Sequence, residues 1–225
     1  MFAEKVLPPQ EIVFHMQDEA IQIHRQHLAD LTRNNLLVLA RFDEFVVTTK
    51  SDPNFSKFLE AVCFAAEKHF GQTRKDFAAT PYIFHPIGVA LSLWEEGLVK
   101  DPVVIIAALL HDTLEDTSAT KEEIESLFGL QVSEIIGELT NPDELSSEEA
   151  KTWQVSHAPS LSNEAKLVKL ADRLYNIRDL RVPPVGWSEE KVQGYYVWGQ
   201  KLLDVLKGTN FQLEQLLQDE IHAHQ

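Results

Sequence analysis

Asp101-Pro102-Val103-Val104-Ile105-Ile106-Ala107-Ala108-Leu109-Leu110-His111-Asp112-Thr113-Leu114-Glu115-Asp116-Thr117 begins as an apolar rod and ends in a dense polar group. Asp101 can act as a helix N-cap and Pro102 as the first helical residue, where its missing N–H costs nothing. A helix over residues 102–111 is apolar on nearly every side, the pattern of a helix enclosed all round. His111, Asp112, Glu115 and Asp116 therefore arrive at the end of a buried element. Carboxylates in such a place need an ionic partner, hydrogen bonds or a metal. The stretch points to an interior helix whose end surrounds a cation. A single His-Asp pair equally suits a helix end or a solvated turn, so the flanking chain has to decide.

Outward from this stretch the pattern stays helical. Phe58, Leu59, Val62, Ala65, Ala66 and His69 make an amphipathic helix ending near Gly71, followed by the polar loop Gln72-Thr73-Arg74-Lys75-Asp76. A helix over residues 81–95 places His85 among Ile83, Ile87, Val89, Ala90 and Leu93. Thr120 and Glu123 form a capping box for a short helix that stops at Gly129. Further helices are expected at 132–139, from Ser146, at 163–178, from Ser188 to about 207, and from Asn210 toward Ile221. Nothing from residue 55 onward demands a sheet, so the expected fold class is all-α. Residues 1–52 read as an N-terminal extension, helical over 10–31, although Val46-Val47-Thr48-Thr49 also suits a strand and hence a short hairpin. The breaker Ser51-Asp52-Pro53-Asn54 sets the boundary of a domain over residues 53–225.

Composition narrows the function. The 225 residues are 44% hydrophobic and 24% charged, ordinary for a globular chain with a real core. No apolar run is long enough to span a bilayer, and residues 1–10 lack the pattern of a secretory signal, so a cytoplasmic location is expected. The single Cys63 leaves no internal disulfide framework. A net charge of −15 disfavours nucleic acid and acidic membrane surfaces as partners. A small-molecule partner is left, and an anionic one requires basic residues and a metal gathered locally. The extension is a candidate contact for a homo-oligomer.

The helix at 163–178 carries the second half of the polar pattern. Lys169, Asp172, Asn176 and Asp179 recur at three- and four-residue intervals and share one face beside the apolar stripe. Asp172 in that position suits a metal ligand, with the Asn176 amide one turn on as a substrate contact. A plain ion pair of Asp172 with Lys169 or Arg173 accounts for it as well.

His85, His111-Asp112 and Asp172 together resemble the H…HD…D metal motif of the HD phosphohydrolase superfamily. More closely, Arg74-Lys75-Asp76, Thr80-Pro81-Tyr82-Ile83-Phe84-His85-Pro86, residues 107–117, residues 166–179 and Gly186-Trp187-Ser188 resemble the hydrolase domain of RelA/SpoT proteins. They also resemble the free-standing form of that domain, the Mesh-type small alarmone hydrolases. The resemblance runs over about residues 55–218 and implies an HD-domain helical bundle. It implies that His85, His111, Asp112 and Asp172 hold one divalent metal, usually manganese, although the donor types alone leave manganese, iron and zinc open. It makes Glu115 and Asp116 the pair that handles the attacking water and the leaving oxygen. Arg74 and Lys75 fall on phosphate-contacting positions, while Tyr82, Asn176, Arg178 and Tyr196 would complete a nucleotide pocket by analogy. The implied reaction removes the 3′-pyrophosphate of guanosine tetra- or pentaphosphate. Alternatives are a metal-dependent phosphatase acting on another nucleotide (the 2′-phosphate of NADPH, an adenosine alarmone) and a sensor that binds without turnover. Two departures from the family pattern stand out. Phe84 replaces the usual Asn before the first metal-binding His, and Thr140-Asn141-Pro142-Asp143-Glu144 lacks the lysines that often follow that helix.

Overall fold

A computed structural model describes residues 33–76, 78–184 and 186–224 of the chain. The helix expected over residues 10–31, and any oligomer contact made by that segment, lie outside the described residues. The first described helix, α1 (Arg33–Thr49), is joined by a turn to α2 (Phe55–Lys68). Val46 to Thr49 are helical and form no hairpin, because Val38, Phe42, Phe45 and Thr49 are buried together at helical spacing. Phe45 meets the ring edge of Trp94 at 5.2 Å and lies 5.6 Å from the ring of Phe58. α1 thus shares one apolar core with the later helices, and residues 51–54 are a turn within it.

A polar loop separates α2 from α3 (Phe84–Leu91), which continues through a π-helical turn, Ser92–Glu96. α3 starts three residues later than periodicity predicts. The cause lies in the loop: Tyr82 N–H donates to the Gln72 carbonyl at 3.0 Å and Arg74 N–H to that of Thr80 at 2.7 Å. These bonds and an isolated antiparallel bridge, Thr73 with Pro81, close residues 72–82 on themselves before the helix can begin.

α4 (Pro102–Leu110) is the apolar rod, with Val104 to Leu110 all buried and the Asp101 carboxylate accepting from Val103 N–H at 2.9 Å. Each fully buried Leu, Ile or Val in it stabilises the fold by roughly 1.5–3 kcal/mol. The single turn α5 (Thr113–Asp116) follows, then α6 (Lys121–Phe128) with the Thr120/Glu123 capping box, and α7 (Leu130–Leu139). α8 (Ser147–His157) starts on a second capping box, Ser146 with Glu149. α9 (Asn163–Asp179), α10 (Glu189–Leu206) and α11 (Phe211–His222) are capped by Ser162, Ser188 and Asn210. No helix among the described residues is long and apolar enough to cross a membrane.

α4 is the axis of the bundle: α2, α3, α7 and α9 all pack on it. α9 also packs directly on α3. That approach depends on Gly88, since a Cβ there would lie 2.0 Å from Cε2 of Tyr175. One point where α3, the end of α4 and the middle of α9 meet is therefore built into the packing.

Candidate metal centre

His85 enters that point as the second residue of α3, His111 and Asp112 directly follow α4, and Asp172 lies midway along α9. His85 and His111 are 2% and 6% exposed, so their ring nitrogens face protein groups. His85 Nε2 lies 3.4 Å from Asp112 Oδ2 and 3.2 Å from Asp172 Oδ1. His111 Nε2 lies 3.1 Å from Asp112 Oδ2 and 3.7 Å from Asp172 Oδ1. Donor atoms of His85, His111 and Asp112 fall within 4.8 Å of one another, a spacing that one ion can bridge.

The donor chemistry fits a metal. His111 Nδ1 lies 2.8 Å from the Ala108 carbonyl, a contact favourable only if Nδ1 carries the proton, so Nε2 presents its lone pair to the carboxylates. No hydrogen bond is aligned to that buried Nε2. Tyr82 Oη donates to Asp112 Oδ2 at 2.6 Å, and Asn176 Nδ2 to Asp172 Oδ1 at 2.5 Å, the same oxygens that face the imidazoles, which fixes the orientation of each carboxylate. The pair of carboxylates draws positive charge inward. Burial opposes a charge on His111, yet Asp112 and Asp172 outweigh it and push the imidazole up to about 10. Burial likewise opposes ionisation of the two acids, but the histidines hold both well below the usual carboxylate range, with Arg173 assisting at Asp172. A divalent cation meets the same demand and leaves both imidazoles free to ligate.

Two recesses flank this point. An inner cavity of about 150 Å³ is lined by Glu115, Asn141, Gln154, Lys169 and Arg173 together with the four metal-type donors. An outer cleft of about 640 Å³ is lined by Lys75, Phe84, Asp116, Tyr175, Trp187 and Tyr195, among others. Arg74, Tyr82, His85 and Asn176 line both, so the quartet sits at the junction. Arg74 Nη2 is fixed there by Asn176 Oδ1 at 2.9 Å and Asp179 Oδ2 at 2.7 Å, with the guanidinium carbon 5.7 Å from the Tyr82 ring centre. The Tyr82 ring stacks on His69 at 4.7 Å. Lys75 is exposed at the cleft rim. Glu115 and Asp116 diverge, one toward each recess. Partial burial, then the charges of Asp112 and Glu115, push the Asp116 carboxyl up to about 6.

Of the expected site residues, His85, His111, Asp112, Asp172, Glu115, Asp116, Arg74, Lys75, Tyr82 and Asn176 come together. Arg178 and Tyr196 do not. Arg178 Nη1 lies 3.0 and 2.8 Å from the two Glu96 oxygens, and its Nε 3.3 Å from Glu220. Two residues beyond Asn176, it has rotated roughly 200° around the helix at about 100° per residue. Tyr196 is buried against His224, their rings stacked at 5.2 Å. Its neighbour Tyr195 lines the cleft instead, with its hydroxyl accepting from Arg173 Nη1 at 2.5 Å. Arg173, offered by the sequence only as an ion-pair partner of Asp172, is buried 3.7 Å from the Trp198 ring centre and 3.6 Å from Asp172 Oδ2, and also lines the inner cavity. Its place directly after Asp172 was the available signal.

Comparison with known proteins agrees with this geometry. The HD domain family pattern matches residues 61–192. The guanosine-3′,5′-bis(diphosphate) 3′-pyrophosphohydrolase MESH1 of Xenopus tropicalis is 55% identical over 157 residues, covering 69% of this chain and 88% of that protein. Its human counterpart is 53% identical over 163 residues, covering 72% of this chain and 91% of that protein. A solved structure of a metazoan SpoT ortholog, described as hydrolysing ppGpp, superposes with a TM-score of 0.73 at 44% identity. It covers 74% of this chain and 94% of its own. With a helical bundle, a histidine–aspartate quartet at its centre and this degree of identity, the chain belongs to the HD domain family, in the branch of the MESH1 proteins.

Proposed function

We infer that the chain hydrolyses the 3′-pyrophosphate of guanosine tetra- and pentaphosphate, giving GDP or GTP and pyrophosphate. The observation that carries this reading is the quartet His85, His111, Asp112 and Asp172 standing between a polar cavity and an aromatic-lined cleft. The similarity to the MESH1 proteins names the substrate.

The quartet holds one divalent ion, for which manganese is our assignment. When bound, such an ion lowers the pKa of a water from 15.7 toward neutrality. The chain's own groups do the rest. The nucleoside lies in the outer cleft against Trp187 and Tyr195, and the pyrophosphate lies toward Lys169 and Arg173 in the inner cavity. Arg74, already oriented by Asn176 and Asp179, meets phosphate oxygens at the junction, and Lys75 meets them at the rim. Glu115 takes a proton from the attacking water. Asp116, pushed up to about 6, is partly protonated near neutral pH and returns a proton to the departing 3′-oxygen. Purified protein given guanosine tetraphosphate and Mn²⁺ should release GDP and pyrophosphate in equal amounts, and EDTA should stop the release until Mn²⁺ is restored. Phosphate instead of pyrophosphate, or no product, would refute the assignment.

A further inference from the structure

We propose that Asn141 and Gln154 are positioning residues that set the orientation of Glu115 through a directional chain of amide hydrogen bonds beginning at the buried Lys169. The inference rests on the hydrolase reading above and adds the device that holds its proton acceptor in place.

Glu115 sits on the single turn α5 and its side chain is exposed, so neither its helix nor the core fixes a rotamer. Asp112 and Asp116 carry like charge beside it. Left alone, the carboxylate would turn to solvent. It is gripped at two points instead: Asn141 N–H donates to Oε2 at 3.2 Å, and Asn141 Nδ2 donates to Oε1 at 2.8 Å. Asn141 stands just past the end of α7, in the segment whose departure from the family pattern the sequence marks out. Its Oδ1 accepts from Gln154 Nε2 at 2.9 Å, and Gln154 Oε1 faces Lys169 Nζ at 3.4 Å.

The order of these bonds follows from chemistry. Lys169 Nζ donates to the Gln154 oxygen, so Gln154 turns its NH₂ onward. That NH₂ claims the Asn141 oxygen, and the Asn141 NH₂ is left with one possible acceptor, the carboxylate. Lys169 is 8% exposed and cannot turn outward to water, which keeps the sequence of donors from reversing. All four groups line the inner cavity, so Glu115 is aimed along its wall. A lysine at position 141 could grip Glu115 but could not pass on the polarity from Gln154.

The test measures kcat and KM with guanosine tetraphosphate at saturating Mn²⁺, alongside thermal melting. Asn141→Ala should lower kcat about tenfold, a fraction of what a general base contributes, with KM within about twofold. Gln154→Met, which keeps the side-chain length without the amide donor, should lower kcat about threefold. The double variant should be no slower than Asn141→Ala alone, because both changes act through one route. Asn141→Ser, which retains the backbone N–H and a small hydroxyl donor, should recover part of the loss and serves if the alanine variant does not fold. Full kcat in a folded Asn141→Ala or Asn141→Ser protein would overturn the relay while leaving the hydrolase reading intact. Losses that add in the double variant, or that fall on KM, would reduce these amides to a brace between α7 and α8. An inactive parent protein would remove the hydrolase reading, and the relay with it.

Discussion

The two faces of α9 carry similar residues to opposite ends. One face presents Lys169, Asp172, Asn176 and Asp179; the other presents Arg178, which with Arg181 just beyond the helix meets Glu96 and Glu220. On the second face the charges close on themselves. Glu96 takes two contacts from Arg178, and Glu220 is shared by Arg178 and Arg181, which ties α9 to the π-helical turn and to α11. On the first face the account stays open. Asp172 and Asp112 face two imidazoles, each of which has one buried nitrogen with no hydrogen bond aligned to it. A satisfied network braces helices, whereas one with unmet demand for positive charge is a place for an ion and a substrate.

Substitutions can break this contrast. The largest effect is expected from Asp172→Ala, which removes one donor of the quartet: activity should fall at least about 10³-fold, and manganese binding followed by calorimetry should vanish. A variant retaining a tenth or more of the parent activity would dissolve the distinction between the faces. Tyr82→Phe removes the hydrogen bond to Asp112 and a longer contact to Asp116 at 3.5 Å, and should weaken metal affinity about 10–100-fold, with activity recovered at high Mn²⁺. Activity that excess metal fails to restore would show that the hydroxyl serves the reaction and not the ligand. The smallest effect on turnover belongs to the closed face. Arg178→Ala should leave kcat within twofold and cost roughly 1–2 kcal/mol in chemical denaturation, below the 3–5 kcal/mol of a fully buried pair because its partners are partly solvated. A collapse of kcat with unchanged stability would return Arg178 to the substrate.

Some of this was readable along the chain because the physics is local. The N-caps Asp101, Thr120, Ser146, Ser188 and Asn210 bond to N–H groups two or three residues away, and each helix starts where its cap implies. The burial of α4 follows from its being apolar on all sides. The polar residues at its end called for a cation, and the resemblance to the HD superfamily added His85 and Asp172 as its further donors. Beyond that, local rules had no purchase. α3 begins late because Tyr82 is bonded across the loop to Gln72, a competitor that helix periodicity does not register.

The amino-acid order thus determined an all-α chain, a buried central helix and the residue types that gather around an ion, since caps, periodicity and donor chemistry act between near neighbours. Tertiary packing alone chose Tyr195 over Tyr196 for the cleft and set Arg178 to bracing, because adjacent helical residues point about 100° apart and only the neighbouring helices select the inward one. It alone also joined Lys169, Gln154, Asn141 and Glu115, four residues on separate elements whose hydrogen bonds exist only once α5, α7, α8 and α9 are assembled.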